Sequence, residues 1–362
     1  MPSPRPSVGD GDWLRALWEG ESLASRVARV GLAPASLLFG VGSALRSVLY
    51  SSGIIVSHPP PLPSLAVGNL TVGGTGKTPV AAYLAARLRD HGATPAMVLR
   101  GYGDDEPLVH RELNPDVRVV VSPDRLAGIA EAQRSGCDVA VLDDAFQHRR
   151  VQRVADVVLV SADGQWTRRR LLPAGPWREP LRAARRAAVV VVTRKAASAE
   201  TAAAVTEAIV RASGGVTCAV AHLDASALRS FSGESDTSID SIRGESVLAI
   251  SGIGNPDAFV AQLAARGARV TARVFRDHHR FTPDEASNLA HASTRFDRVV
   301  CTLKDAVKLG PLWPGPSPLW YVSQRVVVER GADAVDAVIA AVLRARTASP
   351  YSGRPGPPGP PT

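Results

Sequence analysis

The chain has 362 residues, 45% of them hydrophobic, and a formal net charge of +8. That is enough apolar material for two domains or one large α/β unit, and it excludes disorder of the whole chain. Cys137, Cys218 and Cys301 are far apart and form no C-x-x-C pair, so neither a disulfide framework nor a zinc ribbon is expected, and a reducing compartment fits best.

The basic excess suits phosphates or anionic lipid headgroups. The arginines, including Arg168, Arg169, Arg170, Arg182, Arg185 and Arg186, have no aromatics interleaved for stacking on bases, so nucleic acid is not expected as a partner. The N-terminal MPSPRPSVGDGDW places acids where a signal peptide needs a basic flank, so export is not expected.

Residues 1–60 read as amphipathic or interfacial helices, with Trp13, Leu14, Leu17, Trp18, Leu23 and Val27 followed by Leu37, Leu38, Phe39, Leu45, Val48 and Leu49. The uncharged stretch 30–45 contains Pro34 and is stopped by Arg46 before it reaches spanning length. Anchoring at a lipid headgroup layer and docking on the protein's own core both remain open.

After the linker HPPPLP, residues 61–230 alternate short apolar runs with helical stretches. Strands are expected over 65–68, 96–99, 117–121, 139–142, 157–160 and 189–193, with helices over 78–89, 125–134 and 199–212. Fully apolar strands separated by helices predict a parallel sheet covered on both faces.

Residues 231–346 read as a smaller α/β domain, with the boundary within 226–243. Its strands are expected over 247–250, 270–274, 298–302 and 319–322, and its helices over 256–265, 283–293 and 332–346. The Pro/Gly-rich end, 347–362, reads as a disordered tail.

The first strand of the larger domain runs into Thr71, Val72, Gly73, Gly74, Thr75, Gly76, Lys77 and Thr78, and a helix is expected at once. This is a P-loop in its proper context: backbone N–H groups turn in around phosphate oxygens, and the helix N-terminus adds its positive end. Lys77 is expected on the β- and γ-phosphates of ATP, and the Thr78 hydroxyl on Mg²⁺. A second apolar strand ends in Asp143 and Asp144, where such enzymes keep the carboxylate that holds Mg²⁺.

The strings GNLTVGGTGKTP at 68–79, RGYG at 100–103, DEP at 105–107, SPDR at 122–125 and DDAFQHRR at 143–150 resemble the tetraacyldisaccharide 4'-kinases in order and context. So do LLPAGPWREP at 171–180, GIGNPDAF at 252–259, RDHHRFTPDE at 276–285 and TLKDAVKL at 302–309.

The resemblance implies a P-loop NTPase-like parallel-sheet domain, a second, smaller α/β domain and N-terminal membrane-associating helices. It implies transfer of the γ-phosphate of ATP to the 4'-hydroxyl of an acylated glucosamine disaccharide 1-phosphate, in lipid A biosynthesis. The enzyme would be a monomer on the anionic cytoplasmic face of the bacterial inner membrane, peripheral or anchored by its N-terminus.

By motif position, Asp105 and His278 would share the proton work that a sugar hydroxyl needs. Arg125 would sit near phosphate, and Arg178 with Glu179 would belong to the lipid-sugar or nucleotide site. Gln147 and His148 resemble further site residues. The stretch between Gly103 and Asp105 is shorter than is usual in the family, which makes Asp104 a rival for Asp105.

Two other classes compete. A membrane-associated P-loop ATPase switch shares the loop, but such switches carry a lysine just before the paired glycines, where this chain has Val72. A metal-dependent hydrolase built on Asp277, His278 and His279 is disfavoured, because adjacent histidines on extended chain face opposite ways.

Overall fold

The computed structural model describes residues 17–18, 20–101, 105–164, 169–231, 233, 235–254, 256–315 and 317–348. Trp13 and Leu14, the rival Asp104, Arg168 and the tail from 349 onward lie outside the described residues. The chain forms two units that interleave in sequence: a larger one of Glu21–Tyr102, Leu113–Leu223 and Val326–Thr362, and a smaller one of Met1–Gly20, Gly103–Glu112 and Asp224–Arg325.

The larger unit begins with helices α1 (Leu23–Gly31) and α2 (Ala33–Ser51), capped at Ser22 and started by Pro34. It continues with β1 (Ser64–Asn69), α3 (Lys77–Asp90) and β2 (Pro95–Leu99). After the excursion of 103–112 into the smaller unit come β3 (Arg118–Val121), α5 (Arg125–Arg134), β4 (Val139–Leu142), β5 (Ala155–Ser161), β6 (Val189–Arg194) and α6 (Ala199–Ser213). The helix inside the excursion is α4 (Asp105–Leu113).

The first half of β7 (Cys218–Ser230) lies beside β6, and every pairing is parallel, in the order β7-β6-β5-β1-β4-β2-β3. The apolar runs were thus correctly read as parallel strands, buried on both faces except at the edge strand β3, where Arg118 and Val121 are exposed.

Alternation along each strand divides the core. Leu65 and Val67 of β1 pack with Val80, Leu84 and Leu88 of α3 and with Val338 and Ile339 of α10 (Ala332–Ala348). Ala66 faces the other way, toward Ile129 and Ala132 of α5. On the same open sheet β1 is flanked by β4 on one side and β5 on the other, so the crevice at their carboxyl ends is where ligands bind in such folds.

Close packing there requires Gly68: a Cβ at this position would lie 2.6 Å from Phe146 Cβ and 2.8 Å from its backbone nitrogen. Backbone cannot yield as a side chain can, so Gly68→Ala is expected to destabilise the protein by about 2–3 kcal/mol, read as a lower urea midpoint.

Helix α2 is fastened to the larger unit from one side. Ser36 Oγ donates to Leu171 O at 3.0 Å and accepts from Ala174 N at 3.0 Å, and Arg149 Nη1 donates to Ser47 O at 2.9 Å. Large apolar side chains of α1, α2 and the turn that follows stay uncovered, among them Leu23, Val30, Leu37, Leu38, Leu45 and Ile54. Among the described residues no single helix is long and apolar enough to cross a membrane; α1 and α2, bent by 47°, pass that test only as a pair.

The smaller unit contains α4, β8 (Asp236–Ser238), β9 (Ser246–Ser251), α7 (Pro256–Ala265), β10 (Arg269–Val274), α8 (Pro283–Ser293), β11 (Arg298–Cys301) and α9 (Leu303–Leu309). Strand β12 (Leu319–Arg330) runs from this unit into the larger one, as β7 runs the opposite way. The parallel order is β10-β9-β11-β12, with β8 antiparallel to the far half of β7.

Phe259 and Leu263 of α7 pack against Val247, Ala249 and Val300 on one face, and Leu289 of α8 against Leu248, Ile250 and Val299 on the other. A capping box of Thr282 and Glu285 starts α8. Helix α4 joins this unit through Tyr321, whose hydroxyl donates to Glu112 Oε1 at 3.0 Å.

Candidate functional site

In the larger unit, β1 ends at Asn69 and α3 begins at Lys77, with the loop between them braced from within. Asn69 Nδ2 donates to Thr75 Oγ1 at 3.0 Å, and Thr193 Oγ1 donates to Thr75 O at 2.9 Å. Gly76 caps α3 with φ of 80°, in the left-handed region that glycine enters without penalty.

The loop is also held from outside by the LLPAGPWREP segment: Val72 N donates to Pro176 O at 2.7 Å, and Arg178 N to Leu70 O at 2.8 Å. That pairing explains physically why this segment accompanies this P-loop, because it delivers Arg178 to the phosphate-binding turn.

Lys77, Asp144 and Arg178 come together. Asp144 Oδ1 lies 3.6 Å from Lys77 Nζ, and Arg178 Nη1 donates to both Asp144 oxygens at 2.8 and 3.1 Å. Asp144 is held at φ of 49°, uncommon for a residue with a side chain, and its amide donates to Asp143 Oδ1 at 2.8 Å. Asp143 is buried at the end of β4, and its carbonyl accepts from Arg125 Nη2 at 2.8 Å. Gln147 Nε2 donates to Asn69 O at 2.9 Å.

Two expected site residues make other contacts. Glu179 is buried and accepts from Arg186, which lies over the Phe146 ring. Burial, followed by the charges of Arg125, Arg153 and Arg46, lowers the proton affinity of His148 despite the opposing effect of Asp124.

Thr78, Asp143 and Asp144 offer hard oxygen donors, the chemistry that Mg²⁺ prefers. The described residues gather no cluster of three or more His, Cys, Asp or Glu side chains. A magnesium ion at a nucleotide completes its shell with phosphate oxygens and water, so these donors fit it.

In the smaller unit, His278 Nδ1 meets Asp105 Oδ1 at 2.9 Å. Asp105 is only 2% exposed, whereas the His278 side chain is 47% exposed. Burial pushes the Asp105 carboxyl up, but the hydrogen bond from His278 and the charges of Lys304, His278 and Lys308 outweigh it and hold its pKa at about 2. The ionised carboxylate therefore accepts from Nδ1–H, which leaves the Nε2 lone pair open.

The same hydrogen bond, opposed by burial and reinforced by the charges of Asp105 and Asp277, raises His278 above its ordinary 6.5. His278 sits at φ of 58°, a strained conformation of the kind found at functional sites. His279 faces other partners: Nε2 meets Glu285 Oε2 at 3.1 Å, and the ring packs against Phe275 and Phe281. The two adjacent histidines thus diverge, although His278 sits in a left-handed turn and not on the extended chain that was expected.

Sequence reasoning passed over three contributors: Asn69, Thr193 and Lys304. The first two act through hydrogen bonds to Thr75 that no local pattern announces. Lys304 stands inside TLKDAVKL, a string whose recognition was the available signal.

The family model described as tetraacyldisaccharide-1-P 4'-kinase matches residues 28–107 and 103–344. A tetraacyldisaccharide 4'-kinase of Anaeromyxobacter sp. (strain Fw109-5) is 36% identical over 356 residues, covering 88% of this chain and 94% of that protein. One of Halorhodospira halophila is 37% identical over 340 residues, with the same coverage of 88% and 94%. Among solved structures, the "apo" form of LpxK from Aquifex aeolicus in complex with ATP superposes with a TM-score of 0.68 at 27% identity, covering 88% of this chain and 99% of that one.

Proposed function

Because the chain belongs to the tetraacyldisaccharide-1-phosphate 4'-kinase family, we propose that it transfers the γ-phosphate of ATP to the 4'-hydroxyl of an acylated glucosamine disaccharide 1-phosphate. It is a kinase of lipid A biosynthesis. The observation that carries the chemistry is the Asp105–His278 pair, a buried carboxylate behind an exposed imidazole.

A sugar hydroxyl is a poor nucleophile at neutral pH and must lose its proton as the phosphoryl group arrives. The exposure of the two side chains favours His278 Nε2 as the acceptor and Asp105 as the group that fixes the tautomer and stabilises the imidazolium formed. Lys77 and Arg178, which now share Asp144, are the cations available to the phosphate oxygens. Thr78 and Asp143, with Asp144 beside them, would hold Mg²⁺, which when bound neutralises charge on the β- and γ-phosphates.

Arg125 acts through the Asp143 backbone and Gln147 through Asn69 O, so both set the geometry of the phosphate-binding turn. Glu179 and His148 are assigned to the surrounding support of that turn.

The uncovered apolar side chains of α1 and α2, together with the net charge of +8, support peripheral or N-terminal attachment to an anionic bilayer, at the cytoplasmic face of the inner membrane. Replacing Leu37, Leu38 and Leu45 together by serine is expected to weaken co-sedimentation with anionic vesicles by about tenfold or more, while the melting temperature holds because these side chains are exposed.

Incubation with ATP, Mg²⁺ and the disaccharide 1-phosphate in detergent tests the activity. A lipid heavier by one phosphate is expected. ADP release with unchanged lipid would favour the ATPase switch instead.

A further inference from the structure

The TLKDAVKL segment at 302–309 touches the reaction so far only through the charges of Lys304 and Lys308 on Asp105. Asp305, wholly buried, accepts from Gly252 N at 3.0 Å and from Thr302 Oγ1 at 2.6 Å. Lys308 Nζ lies 3.5 Å from its Oδ1. These contacts tie α9 to the end of β9 and fix the direction in which its neighbouring side chains leave the helix.

Lys304 leaves toward Asp105, with Nζ 4.0 Å from Oδ2. That oxygen is buried and has no hydrogen-bond partner among the described residues, while Oδ1 receives His278. A bare carboxylate oxygen out of water is costly, and a cation at this distance offsets the cost.

We propose that Lys304 is a positioning residue for the Asp105–His278 pair, its ammonium group holding Oδ2 so that the carboxylate presents Oδ1 to the imidazole. This role rests on the kinase reading and deepens it.

The charged and titratable groups that bear on Asp105 are His278, Lys304 and Lys308, and those that bear on His278 are Asp105, Asp277 and Lys304. Lys304 acts on the two members in the same sense, favouring the ionised carboxylate and the neutral imidazole. Its removal therefore has a signature that a purely structural lysine lacks: His278 should bind its proton more tightly.

The test is an NMR titration of the His278 ring in the full chain, its signal identified by loss in His278→Asn, for wild type, Lys304→Gln and Lys304→Arg. Lys304→Gln is expected to raise the midpoint by about half a pH unit, and Lys304→Arg to bring it back. The acid limb of kcat/KM should move by the same amount in the same direction. Lys304 is partly exposed, so the variants should fold, and an unchanged backbone amide spectrum checks this. An unmoved midpoint in folded Lys304→Gln overturns the inference, as does failure of arginine to restore it. Because the midpoint is read without ATP or lipid, a wild-type chain that transfers no phosphate sinks the kinase reading separately.

Discussion

Lys77→Ala is expected to lower kcat for phosphate transfer by about a thousandfold, the loss typical of removing a charge aimed at a developing anion. Lys77 follows the left-handed Gly76 directly, so its side chain leaves from the first turn of α3, and its ammonium already lies against a carboxylate, that of Asp144. In the reaction the anion it meets is the γ-phosphate, whose charge spreads over its oxygens as the bond to ADP breaks. Stability should change by less than about 1 kcal/mol, since the Lys77–Asp144 pair is partly solvated. A variant that melts like wild type but turns over like wild type would remove the P-loop from the mechanism.

Asp105→Asn is expected to cost about two to four powers of ten in kcat, although it barely changes the side chain's volume. An amide can donate to Nδ1, which would place the imidazole proton on Nε2 and destroy the lone pair the hydroxyl needs. The pH profile carries the sign. In wild type His278 is raised above its ordinary 6.5 by the hydrogen bond to Asp105, and the neutral imidazole is the working form. Activity should therefore fall as pH drops through that raised value. With the carboxylate charge gone, the residual acid limb should move to lower pH. A limb that stays in place would mean that His278 is not the titrating base.

Much of this is legible in the sequence, for particular reasons. The strand over 65–68, the turn after it and the helix from Lys77 were legible because a P-loop compresses its chemistry into adjacent residues. Asp105 and His278 were paired by resemblance alone, across 173 positions of sequence. Composition and periodicity carry nothing over that distance.

Helix α4 was not expected; its Pro107 lies in the first turn, where a helix tolerates proline. Strand β7 was not expected at all: within Cys218–Ser230 the pattern passes from fully apolar to mixed, as the strand leaves one unit for the other. The ion pair of Glu179 with Arg186 and the brace of Thr193 on Thr75 depend on chain segments brought together only by the fold.

The central claim is tested most directly by following labelled γ-phosphate from ATP into the acylated disaccharide 1-phosphate and locating it on the product by phosphorus and carbon NMR. The account predicts one phosphate on the 4'-oxygen for each ADP released, and its disappearance in Lys77→Ala and Asp105→Asn. ADP formed without a phosphorylated lipid, or phosphate on another oxygen, would contradict it.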